Sequence, residues 1–320
     1  MNVCVLLATY NGEKYLKEQL FSLTNQTGVK VSLLVSDDNS TDQTLNILDK
    51  FSKIKFDNFR IISVLHNNEH VSNNFNDIRH SKLASMASDN FCNLIRNASE
   101  SDDYYAFSDQ DDIWHTDKLQ RAVSILKKNN KPMLYCSSSN LVNSKGEFTM
   151  KSPTRKVTPS FENALVQSLA AGNTMVMNKA AFLLLKRSIK KLTIPAHDWW
   201  TYILISAAGG EVYYDSKALI DYRIHDGNIT GTNYNFIQFF TRLIIAIRGN
   251  YKVWNDLNCE ALNENIDILN ENSKKILNLF MKARQSSFFY RNYYLFKSGV
   301  FREQRYQKIL FHIGMLFNKI

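Results

Sequence analysis

The run Asp109-Gln110-Asp111-Asp112 places three carboxylates within four residues. Crowded carboxylates raise one another's pKa unless a cation or strong hydrogen-bond donors neutralise them. Hard divalent ions such as Mg2+ or Mn2+ take oxygen ligands and are often completed by phosphate oxygens, so this run is a candidate metal site. The plain alternative is a solvated acidic loop capping the next helix, although Thr116 and Asp117 stand near that helix start and could cap it instead. Phe107, Ile113 and Trp114 flank the acids, which suggests a loop pinned against a core. Two further polar clusters are Ala8-Thr9-Tyr10-Asn11-Gly12-Glu13 and Ser36-Asp37-Asp38-Asn39-Ser40. Late in the chain, Tyr222-Arg223-Ile224-His225 offers an imidazole for a metal or diphosphate and a guanidinium to neutralise phosphate. A surface histidine in a polar turn is the competing reading of His225.

Each cluster follows an apolar run of strand type. Val3 to Leu7, Val31 to Val35 and Tyr104 to Phe107 read as strands, and Arg60 to Leu65 as another. Helical periodicity lies between them: Tyr15, Leu16, Leu20 and Leu23; Leu45 and Leu48 after the capping box Ser40-Thr41-Asp42-Gln43; and Leu83, Ala87, Phe91, Leu94 and Ala98. Strands alternating with helices predict right-handed crossovers and a mostly parallel sheet, an α/β fold. Ligands of such sheets bind at the carboxyl ends of the strands, where all three polar clusters would converge. Beyond them, Met133 to Cys136, Thr174 to Met177 and Val212 to Tyr214 read as strands, and Trp199 to Ala208 as a helix. From Asn235 the pattern is helical, so a boundary is expected near Tyr234.

A hydrophobic content of 44% with 11 Gly and 4 Pro excludes a disordered or low-complexity chain. No stretch approaches the ~20 apolar residues that cross a bilayer, and the N-terminus lacks a charged leader, so a cytoplasmic protein is expected. The scattered cysteines Cys4, Cys92, Cys136 and Cys259 form no zinc pattern and are expected to be buried thiols. His66, His70, His80, His115 and His312 form no ligand-spaced group and are expected to face solvent.

The ordered motifs carry a resemblance. Ala-Thr-Tyr-Asn-Gly-Glu, Ser-Asp-Asp-Asn-Ser-Thr-Asp and Ser-Asp-Gln-Asp-Asp-Ile-Trp, followed by Gly172-Asn173-Thr174, His197-Asp198-Trp199-Trp200 and Tyr222-Arg223-Ile224-His225, resemble the family 2 glycosyltransferases of GT-A fold. Similarity is greatest to their rhamnosyltransferase-like branch and covers about residues 1–232. Together with the boundary near Tyr234, the resemblance gives a catalytic domain over 1–234, with a nucleotide-binding half to about 115 and an acceptor half from 116, ahead of a helical basic region over 235–320 that is too generic to match any family. It further implies that Ala8, Thr9, Tyr10 and Glu13 line the nucleotide pocket, and that Asp38 accepts a hydrogen bond from the pyrimidine. Asp109 would contact ribose or metal, Asp111 would hold the metal bridging the diphosphate, and Asp112 would assist. Asp198 falls at the family's catalytic base, while His197 departs from the glutamate many relatives carry there. Asn90 and Arg96 resemble a donor-side helix. Trp199 and Trp200 cannot both face one side of a helix, so one is expected in the core and the other against an acceptor sugar.

The implied activity is inverting, cation-dependent transfer of a sugar, with dTDP-rhamnose as the expected donor and a glycan hydroxyl as acceptor. Transfer of another hexose from a UDP-linked donor and an inactive glycan- or membrane-binding scaffold are the alternatives. Nucleotidyl transfer would want a basic, glycine-rich loop after the first strand, and Ala8 to Glu13 contains no basic residue. From Phe236 onward 13 Lys/Arg face 6 Asp/Glu, out of a chain net charge of +9. Phe236, Phe239, Phe240, Leu243, Ile244 and Ile247 form an apolar stripe there, fitting either a packed helix or one lying on the anionic inner leaflet. The basic and aromatic mixture further on could also stack nucleic acid, but the resemblance favours a membrane surface and a lipid-linked acceptor, with no nucleic acid expected.

Overall fold

Strand β1 (Asn2–Thr9) sits at the centre of the first half of the sheet. Val3, Val5 and Leu7 point to one face and Cys4 and Leu6 to the other, all essentially inaccessible to water. With both faces covered, the run is continuously apolar rather than alternating. The computed structural model describes residues 1–66, 79–128, 130–189, 194–225 and 250–316. After β1 come α1 (Leu16–Thr24), β2 (Lys30–Asp37), α2 (Thr44–Ser52), β3 (Phe59–His66), α3 (Arg79–Asn97) and β4 (Tyr104–Ser108). Then follow β5 (Ile113–Trp114), α4 (Lys118–Leu126), β6 (Met133–Val142), β7 (Phe148–Lys151) and α5 (Phe161–Ala164). The second half continues with β8 (Val176–Asn178), α6 (Lys179–Ser188), α7 (His197–Ala207) and β9 (Glu211–Arg223). Helices α8 (Asn250–Glu264), α9 (Glu271–Gln285), α10 (Phe288–Ser298) and α11 (Arg305–Leu316) complete the described chain.

One sheet runs in the order β3-β2-β1-β4-β8-β6-β9-β5, with β7 paired to β6. The α/β expectation holds, and the first four strands are mutually parallel. Beyond β4 the sheet is mixed: β8 is antiparallel to both β4 and β6, β5 is antiparallel to β9, and β6 and β9 are parallel. This arrangement brings the ends of β1, β2, β4 and β9 to one edge.

Strand β6 runs ten residues rather than four, β5, β7, α5 and α6 went unread, and α2 and β9 differ for reasons that can be named. Helix α2 begins at Thr44 because Asp42 accepts hydrogen bonds from the Thr44 backbone N–H (2.9 Å) and hydroxyl (2.5 Å), forming a turn instead of a capping box. Strand β9 runs 13 residues rather than three. Its polar Asp215 is buried and accepts from Arg121 Nε (2.5 Å) and the Tyr135 hydroxyl (2.9 Å), so a charge on the strand is neutralised by the neighbouring elements.

The C-terminal helices share a core with the sheet. Leu262, Leu277, Phe280, Leu295 and Phe311 belong to the same buried cluster as Trp200 and Phe182. Asn270 N–H donates to the Ala207 carbonyl (3.0 Å), Arg302 Nε donates to the Val166 carbonyl (2.9 Å), and Arg155 pairs with Glu303 (3.3 Å). The expected boundary at 234 and the Phe236–Ile247 stripe lie outside the described residues. All four cysteines are free and buried, as expected.

Candidate active site

The β1 exit is stitched to two other loops through main-chain hydrogen bonds. Tyr10 N–H donates to Gln110 Oε1 (2.9 Å), and Gln110 Nε2 donates back to the Tyr10 carbonyl (2.8 Å). A β-carbon on Gly12 would lie 2.3 Å from Gln110 Oε1, so only glycine lets that side chain lie across the turn. Thr9 Oγ1 donates to Asp37 (2.8 Å), which also accepts from Ser40 N–H (2.8 Å) and hydroxyl (2.6 Å). Asp38 N–H donates to the Thr9 carbonyl (2.9 Å), leaving the Asp38 side chain 5% exposed at the same edge. Asn90 on α3 donates to the Ser36 carbonyl (3.0 Å) and the Thr9 carbonyl (3.4 Å). Its buried Oδ1 meets no donor among the described residues. Thr9, Tyr10, Asp38 and Asn90 therefore come together, with Ala8 behind them on β1.

The acidic loop is pinned between β4 and β5, as its apolar flanks predicted. Asp109 is pushed up to about 7, first by burial and then by the charges of Asp111 and Asp198, with Lys118 and Asn173 opposing. Asp111 pairs with His225 Nε2 at 2.8 Å, which ties the acidic loop to the exit of β9. Asp112 is fully buried and accepts from Asn173 Nδ2 (2.6 Å) and from Arg223 N–H (3.4 Å). Burial and the neighbouring charges of Asp111 and Asp109 hold its carboxyl far above the usual range. Beneath this loop lies Lys118, also fully buried, its ammonium 2.9 Å from the Trp114 ring centroid. Burial pulls the Lys118 pKa well down, against the pull of Asp112 and Asp109. Lys118 was missed by the motif reading, yet a signal existed: with Ala122 and Leu126 it occupies the i, i+4, i+8 positions on the buried face of α4.

Asp198 begins α7 opposite that loop. Its Oδ1 accepts from the Trp199 N–H (2.6 Å), an anion at a helix N-terminus. Burial nevertheless raises its pKa to about 6, opposed by backbone N–H groups of Trp199, Asp198 and Gly172. His197, whose role the sequence left open, stacks on Phe91 at 3.8 Å between centroids and meets Phe107 edge-on at 4.9 Å. Burial lowers its pKa to about 3, so it is a neutral packing group that fixes the start of α7. A β-carbon on Gly172 would sit 2.5 Å from His197 Nε2, which explains the glycine there.

Several expected site residues do other work. Trp199 and Trp200 are both buried, and their indole N–H groups donate to the Ala164 carbonyl (2.7 Å) and Ser188 Oγ (2.9 Å). Helix α7 is enclosed on nearly every side, so neither ring faces an acceptor. Arg96 lies at the far end of α3, where its Nε donates to the Ile189 carbonyl (3.2 Å), away from the strand ends. Glu13 is exposed and accepts from Gln43 N–H (2.9 Å) at the start of α2. Arg223 is 1% exposed and acts as a strut: it donates to the Asp111 carbonyl (3.0 Å), the Ser144 carbonyl (3.1 Å) and the Glu18 carboxylate, with the Tyr15 ring 4.5 Å away. His115 is half-buried against Asp221 (2.8 Å) rather than solvent-facing, and that hydrogen bond raises its pKa despite burial.

Among the described residues, no three His, Cys, Asp or Glu side chains already form a metal-binding group. The donor chemistry of Asp109, Asp111 and His225 still fits a divalent ion. Two hard carboxylates and an imidazole are suitable ligand types, Asp111 already pairs with His225, and the negative charge that adds to burial in lifting Asp109 is what a dication would relieve.

Residues 4–82 match the family model described as "Glycosyl transferase family 2". The chain is 32% identical over 243 residues to the dTDP-rhamnosyl transferase RfbG of Shigella flexneri, covering 74% of this chain and 78% of that protein. The chain belongs to the family 2 glycosyltransferases. A glycosyltransferase of Haemophilus influenzae described as uncharacterized is 28% identical over 245 residues, covering 74% of this chain and 69% of that one. Over its whole length this family member also overlays residues 1–349 of TarS from S. aureus, a structure solved with UDP-GlcNAc. The TM-score is 0.54 at 18% identity, covering 89% of that chain. The fold is GT-A, and the protein is a glycosyltransferase of rhamnosyltransferase-like type.

Proposed function

We propose that this glycosyltransferase moves rhamnose from dTDP-rhamnose to a hydroxyl of a glycan acceptor in bacterial surface polysaccharide synthesis, with inversion at the anomeric carbon. The observation that carries the reading is Asp198. Its carboxyl stands at the start of α7 within electrostatic reach of Asp109, and burial lifts it to about 6, near the pH at which a general base works well. Identity to a dTDP-rhamnosyl transferase over three-quarters of the chain supports the donor.

On this reading Asp198 takes the proton of the attacking hydroxyl, which adds directly to the anomeric carbon as the nucleotide diphosphate leaves. Asp38 accepts from the pyrimidine ring, and Thr9, Tyr10 and Asn90 form the wall around it. Asp109, Asp111 and His225 would hold a divalent cation, which when bound supplies Lewis-acid stabilisation of the departing diphosphate. Asp112, Lys118, Asn173 and Arg223 keep those ligands in place from beneath. Retention of Asp109, Asp111 and Asp198 argues against an inactive scaffold.

A thermal-shift screen of nucleotide sugars with Mg2+ or Mn2+ tests the donor. A ligand at 100 times its Kd stabilises the fold by about 2.7 kcal/mol. The dTDP-linked sugars are expected to raise the melting temperature more than their UDP counterparts, and dTDP-rhamnose most among them. Greater stabilisation by a UDP-hexose would reassign the donor.

A further inference from the structure

Helices α10 and α11 turn apolar side chains to the outside. On α10 the core contacts are made by Leu295 and Ser298, whereas Phe289, Tyr293 and Phe296 follow one another at i, i+4 and i+7 on the opposite face. Phe289 is 83% exposed and Phe296 85%, more than any other large hydrophobic side chain of the described residues. On α11, Phe311 and Met315 point inward, and Tyr306, Ile309 and Ile313 form a second outward stripe at i, i+3 and i+7. The two helices are tied by Arg291 Nη1 donating to the Met315 carbonyl (2.9 Å). A surface helix ordinarily shows the reverse pattern, and clustered exposed apolar side chains mark an interaction surface.

The charge around the stripes selects the occupant. From Phe288 to Leu316 the chain carries five Lys/Arg against one Asp/Glu, and that one, Glu303, is already paired with Arg155. Lys297 and Lys308 are exposed beside the aromatic residues. An excess of about +4 on this segment disfavours a second copy of the same face, because like charges would be brought together. An anionic bilayer surface satisfies both features: aromatic rings settle at the headgroup boundary while lysines meet acidic lipid. None of the described helices is long and apolar enough to cross a membrane, so the contact would be interfacial.

We propose that α10 and α11 form a docking face for an anionic lipid surface, the cytoplasmic leaflet, through Phe289, Tyr293, Phe296, Ile309 and Ile313 with Lys297 and Lys308. This face is joined to the active site by short links. Arg302, between the two helices, donates to the Val166 carbonyl just after α5, and the Ala164 carbonyl of α5 accepts from Trp199, next to Asp198. The docking face would therefore hold the site at a fixed distance from the bilayer. The inference adds a partner and depends on neither the donor nor the acceptor proposed above.

The test is co-sedimentation of the full chain with vesicles of phosphatidylcholine alone or mixed with phosphatidylglycerol. Binding is expected only to the anionic vesicles and should weaken as salt rises. The double substitution Phe289→Ser/Phe296→Ser should lower binding by about tenfold or more. Because both side chains are exposed, its melting temperature should match wild type. Lys297→Gln/Lys308→Gln should cost several-fold and reduce the salt dependence. Absence of binding, equal binding to both vesicles, or an unaffected aromatic variant would overturn the proposal. So would a concentration-dependent dimer in sedimentation velocity that Phe289→Ser/Phe296→Ser dissolves, since the face would then join two copies. Donor-induced stabilisation is read in a separate assay, so failure here leaves the glycosyl-transfer reading untouched.

Discussion

Asp198→Asn is expected to lose sugar transfer while keeping donor binding. The amide has the shape of the carboxyl and can still accept from the Trp199 N–H, so the start of α7 should be retained. What it lacks is the capacity to take the proton of the attacking hydroxyl, a contribution typically worth ~10²–10⁴ in rate. Initial rates with saturating donor should fall by about that factor, with donor affinity within a few-fold of wild type. The pH dependence follows with a definite sign. The base works when ionised, and its pKa is raised to about 6, so wild-type kcat should hold above that pH. It should then drop towards tenfold per unit as pH falls below it. Asp109, lifted to about 7, titrates nearby but acts on donor affinity, and kcat at saturating donor separates the two. A variant that transfers at the wild-type rate would remove Asp198 from the reaction.

The second large effect is expected at Asp111. Asp111→Ala removes a carboxylate proposed to hold the cation and also the partner that fixes His225 at 2.8 Å. The fold should survive, because Arg223 grips the Asp111 main-chain carbonyl and not its side chain, and Asp112 keeps its bonds to Asn173 and Arg223. Cation-dependent stabilisation by the donor should therefore vanish, a loss of about 2.7 kcal/mol at donor concentrations 100 times the wild-type Kd. The melting temperature without ligand should change little. If cation and donor together still stabilise the variant as they do wild type, Asp111 holds no metal.

The first half of the fold was legible because its central strands β1, β2 and β4 are buried on both faces and its helices on one. Continuous runs such as Val3–Leu7 and Val31–Val35 carry the sheet, and the polar clusters that end them had to meet at its carboxyl edge. The pinned acidic loop was legible for a related reason, since Phe107 and Trp114 could only point inward. Strand β9 was hidden by Asp215, whose charge reads as a loop until Arg121 and Tyr135 arrive from elements far away in sequence. The same blindness to long-range partners misplaced Arg223: a basic residue beside a histidine looks like a phosphate contact, and only the fold brings Glu18, Ser144 and Asp111 around it. Arg96 failed differently. The resemblance pairs it with Asn90 on a donor-side helix, but six residues of helix carry it ~9 Å along the axis, to the end of α3 away from the strand ends. The tryptophan pair failed because the expectation of one exposed side assumes a helix that meets solvent, whereas α7 is enclosed.

The proposal reduces to one stereochemical event: a hydroxyl deprotonated by Asp198 reaches the anomeric carbon from the side opposite the departing diphosphate. NMR of the freshly formed glycosidic linkage reads this directly. A product from dTDP-rhamnose whose anomeric configuration is opposite to that of the donor is the result the account predicts. Retention of configuration, in which the new bond lies on the face the diphosphate left, would contradict it.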